Sequence, residues 1–416
     1  MSDAERPDRK IRIAAGDGWI FVALILGVVL IGEGLKVFRA PALLLIVGVA
    51  LVYARETILR KQHLPLLFFT LWGMLYVLLS YMGALPRAWT RYYETSVILQ
   101  QASFLVVLLP LVAASQKWWD DHRFDVNREA IMIVIVVVAF GVGTVFDMAL
   151  DLGGVRPLVT LRNYVLIGLM ALTYLAFRSE KWRSLAILTL LVLTAWSAAR
   201  IYFLQNTLVY IALLGFMIPA VLRVPVDRLM LGSFLTLVAG ATAYGLVDPW
   251  VVFQIDANTG WRLAWWSDVI VATGQTGGVG VGFGTESLRN EYTALLERDS
   301  YREEGGTFLL VSTHSAFFDT MFRLGVVGVS LLVIVLLRCW PPKEMNLHAR
   351  AHVCAIFAIL TLCLHSNLGL QSPMYSVGIA FCIGYFQSER RKARANAYAA
   401  EDADLHASYA MSLERR

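Results

Sequence analysis

His314 and a small set of arginines are the residues in this sequence whose types and placement could do chemistry. His314 stands in Ser312-Thr313-His314-Ser315, immediately before the apolar run 315–338. The N-terminal end of a helix disfavours an imidazolium, so a histidine placed there is expected to be neutral and able to accept a proton. Arg156, Arg162, Arg200 and Arg262 stand at the ends of apolar runs or in the segments that join them. Arginine offers a planar fork that matches phosphate oxygens. At or inside a membrane boundary it costs on the order of a few kcal/mol, and so points to a function. A proton acceptor and a cradle for an anionic head group, such as a pyrophosphate, are the chemistry these residues could supply. Each also has an ordinary reading. A histidine can be hydrogen-bonded for structure alone. An arginine can snorkel to lipid phosphates or pair with neighbours such as Glu94, Asp147 and Asp151.

The elements that must position these residues are membrane helices. The 416 residues are 58% hydrophobic and 16% charged, with a mean hydropathy of +0.62. A soluble chain of this size needs more polar surface. Apolar runs of spanning length recur at 18–35, 40–54, 65–84, 96–115, 130–150, 161–177, 183–199, 202–222, 229–247, 315–338, 351–367 and 373–388. The fold class expected is therefore all-α, a polytopic bundle of about twelve transmembrane helices. The even-numbered connections are basic: Arg55, Arg60 and Lys61; Lys117, Arg123 and Arg128; Arg178, Lys181 and Arg183; Arg223 and Arg228; Arg338, Lys343 and Arg350. The tail adds Arg390, Arg391, Lys392 and Arg394. The positive-inside rule puts these connections and both termini in the cytoplasm, with segments 1–17 and 389–416 as cytoplasmic ends. The net charge of +5 is spread over short loops and forms no basic domain, so nucleic acid is not an expected partner. Arg6, Arg9, Lys10 and Arg12 precede the first apolar run without a small-residue cleavage pattern, which reads as a retained helix.

Between runs 18–247 and 315–388 lies one long connection, 248–314, on the outer side by the same rule. A loop of this length in a compact membrane protein is usually functional. It holds Trp250, Trp261, Trp265 and Trp266, residues suited to a membrane–water interface, then the run Gly277-Gly278-Val279-Gly280-Val281-Gly282-Phe283-Gly284. That run lacks a Gly-Lys-Ser/Thr ending and reads as a tight turn against the membrane surface, not a phosphate loop. Arg87 and Arg91 also fall on the outer side, as do Arg289, Arg298 and Arg302, which read as solvated loop residues among Glu291, Glu297, Glu303 and Glu304. Cys339, Cys354, Cys363 and Cys382 all lie in or beside the last three apolar runs and form no disulfide framework or metal pattern. Asp248, Asp256, Asp268 and Asp299 are too scattered for a metal cluster, so no metal or other cofactor is expected. No internal repeats are visible.

The stretch from Ser312 to Gly328 resembles the signature of the O-antigen ligase and O-antigen polymerase family, in which a histidine precedes a helix ending in a Gly-x-x-Gly step, here Gly325 to Gly328. Arg262-Leu263-Ala264-Trp265-Trp266, followed by Gly280-Val281-Gly282-Phe283-Gly284, is similar to that family's loop pattern. Ser197-Ala198-Ala199-Arg200 is similar to its serine–arginine motif at a helix end. Nine helices, a long outer loop and three helices is also that family's arrangement. Two positions depart from it. Ser315 stands where Asn is frequent, and Arg323 where many members have Glu. Both leave the choice between ligase and polymerase open.

The resemblance implies a transferase at the outer face of the bacterial inner membrane. Its donor would be a glycan on a polyprenyl pyrophosphate, and its acceptor a sugar hydroxyl on a second glycan or on a lipid A core. Arg200 and Arg262, with Arg156 and Arg162 behind them, would stabilise the diphosphate leaving group. His314 would take the acceptor's proton as general base, and a single displacement predicts inversion. An exopolysaccharide is an equally good product. The competing class is a transporter or lipid-linked oligosaccharide flippase, which predicts internal repeats and polar groups spread through the membrane midplane.

Overall fold

In a computed structural model the residues described are 39–86, 95–121, 127–142, 163–198, 204–222, 224, 228–285, 313–366 and 375–414. Regular structure among them is helical. In chain order the helices are α1 (Arg39–Ala54), α2 (Leu64–Tyr81), α3 (Thr95–Asp120), α4 (Arg128–Val136, continued by a π-helical stretch Val137–Val142), α5 (Asn163–Arg178), α6 (Arg183–Ala198) and α7 (Leu204–Val221). They continue as α8 (Arg228–Val247), α9 (Pro249–Ile255), α10 (Ala257–Gln275), α11 (Ala316–Leu337), α12 (Leu347–Ser366) and α13 (Tyr375–Glu414). The expected run 18–35 lies outside the described residues, as do 143–150 of the run 130–150; each of the other runs overlaps a helix over most of its described residues.

Among the described residues, five helices are long and apolar enough to cross a membrane: Lys61–Tyr81, Val97–Asp120, Arg228–Val247, Ala316–Leu337 and Ala349–Ser366. Their outward faces stay apolar. Leu71, Leu78, Val106, Leu237, Val247 and Leu337 are all exposed, a pattern that suits lipid and not water. The core is built round α3, α12 and α13. Small residues on α12 and α13, among them Ala355, Ala358, Cys363, Ala380 and Cys382, are fully buried and let neighbouring backbones approach closely. Aromatic rings fill the remaining space, with Trp118 and Trp119 of α3 against Phe381 of α13. All four cysteines are buried and none is in a disulfide, as their reading as small apolar residues requires.

Two expectations change. The described half of the long connection is not irregular. It forms the turn-and-helix pair α9–α10, and α10 packs on α11. Leu263, Trp265, Trp266, Val269, Ala272 and Thr273 of α10 are buried, a helical repeat that closes one face on the bundle. The second change concerns the glycine run, which begins as a turn with Gly277 and Val279 exposed but does not stay at the surface. Residues Gly280–Thr285 are buried between α2, α3 and α11.

The physical reason is a break in α11. At Gly325 the backbone turns to φ 69°, ψ −169°, so helical hydrogen bonds fail there and other partners take them up. The Val281 and Gly282 amides donate to the carbonyls of Phe322 and Arg323 at 2.8 and 2.9 Å, and the Val326 amide donates to Gly278 at 2.9 Å. Trp72 of α2 donates to the Leu324 carbonyl at 3.1 Å, and the Tyr76 hydroxyl to Val279 at 2.6 Å. Ser80 and Gln101 accept from the amides of Phe283 and Gly284. Irregular backbone is tolerated among membrane helices only when it is satisfied in this way. Glycine is required because the two backbone segments touch: a Cβ on Gly280, where φ is 86°, would sit 2.5 Å from the Gly325 nitrogen.

Candidate functional site

The break in α11 and the glycine run beneath it fix α10 against the first turn of α11. Ser315 caps α11, with its hydroxyl facing the Phe318 amide at 3.5 Å. His314 therefore sits just ahead of the cap. Its neighbours are tied to three elements. The Thr313 amide donates to the Asp319 carboxylate at 2.8 Å. The Thr313 carbonyl accepts from the Trp266 indole of α10 at 2.8 Å. The Ser315 hydroxyl reaches the Leu364 carbonyl of α12 at 3.4 Å. Between these ties His314 adopts φ 57°, the one non-glycine residue with positive φ among the described residues. A left-handed histidine is held against its preference, by about 1 kcal/mol or more.

Arg262 on α10 reaches the same place. Its Nη1 donates to the carbonyl of Ser366 at the end of α12. The Trp265 ring meets the His314 imidazole edge-on, with centroids 6.2 Å apart and planes at 86°. Trp266 stacks on Phe318 at 4.8 Å and lies 5.1 Å from His365. Burial, and then the Arg262 guanidinium, hold the His314 imidazole down to about 3. At neutral pH it is uncharged and keeps a lone pair for a proton, while Arg262 stays cationic a short way off.

The structure thus brings together two of the five residues singled out from the sequence, His314 and Arg262, and joins to them the tryptophans of the same motif. Arg156, Arg162 and Arg200 lie outside the described residues, as do Arg87, Arg91, Arg289, Arg298 and Arg302. Two site residues escaped sequence reasoning. His365, next to Ser366 on α12, shares a 2.8 Å hydrogen bond with Thr242 of α8 and faces Trp266 and Phe318. Asp319 is 2% exposed and holds the residue before His314. Asp319 carried a signal, since an acid in the first turn after a serine cap commonly reaches back over the helix end. His365 carried none beyond its place at the end of an apolar run.

Arg323, where the motif departs from its pattern, is also buried at 2% exposure. Its Nη1 donates to Gln101 of α3 at 2.8 Å and lies 3.4 Å from the Thr285 carbonyl. Gln101 in turn accepts the Gly284 amide at 2.6 Å. Arg323 therefore braces the glycine run. Among the described residues, no three His, Cys, Asp or Glu side chains gather as a metal site would need.

No protein-family model matches this chain, and no curated protein matches it. What the site can do rests on its own chemistry: a neutral imidazole and a fixed guanidinium, presented together at the start of an apolar helix.

Proposed function

We propose that the chain is a membrane glycosyltransferase of the O-antigen ligase and polymerase kind. It moves a polyprenyl-pyrophosphate-linked glycan onto a sugar hydroxyl at the outer face of the inner membrane, in the synthesis of a surface polysaccharide. The observation that carries this reading is the pairing of a strained, uncharged His314 with Arg262 across α10 and α11. In the reaction the acceptor oxygen forms a bond to the anomeric carbon as the bond from that carbon to the diphosphate oxygen breaks. The acceptor's proton passes to His314, and the electron pair leaves with the polyprenyl diphosphate. Arg262 stabilises that charge, together with Arg200 and, more distantly, Arg156 and Arg162. The displacement inverts the anomeric centre and draws on no metal. In this reading the chain crosses the membrane about twelve times, with both termini in the cytoplasm and α9–α10 outside.

Purified protein given a polyprenyl-pyrophosphate-linked oligosaccharide and a sugar acceptor tests the proposal. A new glycosidic bond, absent in His314→Ala, is the expected result. Movement of intact donor across a vesicle bilayer with no bond formed would instead favour transport. One feature speaks for that second reading, because broken helices line the binding sites of many transporters and α11 is broken at Gly325. The break here is filled by the glycine run.

A further inference from the structure

We propose that Asp319 is the positioning residue for His314. Its carboxylate grips the Thr313 amide and thereby holds the left-handed turn from which the imidazole is presented. The inference rests on the glycosyl-transfer reading and adds to it a residue to which the motif gives no role.

In an ordinary capping box an acidic side chain three residues past the cap reaches back to the cap's own amide. Asp319 stands four residues past the cap, Ser315, and reaches further, to Thr313, two residues before it. The extra reach spans one residue, and that residue is His314. The contact at 2.8 Å is one of a set that leaves the turn little freedom. The Trp266 indole holds the Thr313 carbonyl, and the Thr313 hydroxyl donates to the Ser315 carbonyl at 3.1 Å. The Asp319 amide returns to that same Ser315 carbonyl at 2.9 Å. A non-glycine residue stays in left-handed backbone only where its surroundings over-determine it, and Asp319 supplies the sole side-chain carboxylate in this set. Its charge is supported twice, by the positive end of α11 and by Arg323 one turn on, which acts on it electrostatically. A charged acceptor makes the stronger grip on an amide.

Full-length protein, donor and acceptor are then assayed in the Asp319→Ala and Asp319→Asn variants. Asp319→Ala is expected to lower kcat by roughly 10- to 100-fold, the cost of a displaced catalytic group, with donor KM little changed. Asp319→Asn keeps an oxygen that accepts the amide and should retain activity within about fivefold, the loss of charge assistance alone. Each change is also made in a His314→Gly background. There Asp319→Ala should cause no further loss of the residual rate, because no imidazole remains to be positioned. A residue that only supported the fold would depress both backgrounds alike, and that result overturns the proposal. So does Asp319→Ala working at the parent rate. If Asp319→Ala does not fold, Asp319→Glu replaces it, with a moved carboxylate and a fall in kcat again confined to the His314 background. Parent protein that forms no glycosidic bond fails the glycosyl-transfer reading itself, and a His314→Gly variant that transfers glycan at full rate fails the base assignment on which the clamp depends. An inactive His314→Gly beside an unimpaired Asp319→Ala fails only the clamp.

Discussion

At the scale of single residues, a base held down to about 3 is always deprotonated in the cell but takes up a proton reluctantly. The causes are burial and Arg262. When an anionic diphosphate pairs with Arg262, the second cause weakens, and the imidazole becomes a better base at the moment the acceptor needs one. The direction is testable. The acid limb of kcat/KM, which reports the free enzyme, is expected well below the ordinary histidine value of about 6.5. The acid limb of kcat, which reports the donor-bound enzyme, should lie above it. Coincident limbs, or a kcat/KM limb near the ordinary value, would contradict the assignment. The same linkage touches stability. A histidine whose folded value is depressed loses its contribution as pH falls through the unfolded value, so His314→Gln should flatten the loss of thermal stability between about pH 6.5 and 3. Arg262→Lys keeps the charge but loses the fork, one arm of which holds the Ser366 carbonyl. Donor KM is expected to rise roughly tenfold, with kcat falling less; unchanged donor binding would remove Arg262 from the diphosphate site. His314 and Arg262 were visible as polar residues out of place among apolar and aromatic ones. Asp319 showed only as an acid in the first turn after a serine cap, and His365 not at all, because it looks ordinary on its own helix and acquires meaning only when α10, α11 and α12 meet.

At the scale of elements, α10 was legible and went unread. Trp265, Trp266, Val269, Ala272 and Thr273 recur with helical spacing inside what length and polarity suggest is a loop. The tryptophans suggested an interface, whereas Trp265 and Trp266 are buried under 5% exposure and serve as the packing face of a helix. The glycine run shows the converse. Its turn character was plain from sequence, but nothing local says that it fills a break in a helix some forty residues later. That pairing is made of backbone hydrogen bonds, which carry no side-chain signal. Gly325→Ala places a side chain at φ 69° against the Val279 and Gly278 carbonyls. It should destabilise the protein by about 2 kcal/mol or more, read as a lower melting temperature in detergent, and reduce activity through displaced α10. An unchanged melting temperature would mean that the run is not seated in the break.

At the scale of the whole molecule, the sidedness of α6 and α7 decides how many times the chain crosses. The α6 helix has 16 residues, about 24 Å at the usual rise, against a hydrocarbon core of about 30 Å. The α7 helix has 18. Two short helices in succession can each cross, with tilt and local thinning, or can enter and leave on one side as a re-entrant pair. Charge in the flanking loops cannot separate these cases, since Arg178, Lys181 and Arg228 fall on the same side in both. The residues between the helices can. Single cysteines at Glu180, Tyr202 and Gln254, in a background without the four native ones, are labelled in intact cells with a membrane-impermeant maleimide. Glu180 and Gln254 are exposed, and three helices separate them, so they should label on opposite sides whether or not α6 and α7 cross. Tyr202→Cys is expected to label from outside together with Gln254→Cys. If it is shielded from both sides, α6 and α7 are re-entrant and the crossings fall by two. Arg200 would then sit at the tip of a loop within the bilayer, where an arginine is tolerated only against a bound anion or a water-filled path. The diphosphate would have to be met from inside the membrane, and the reaction would lose the shared outer face on which His314, Arg262 and Arg200 are proposed to act together.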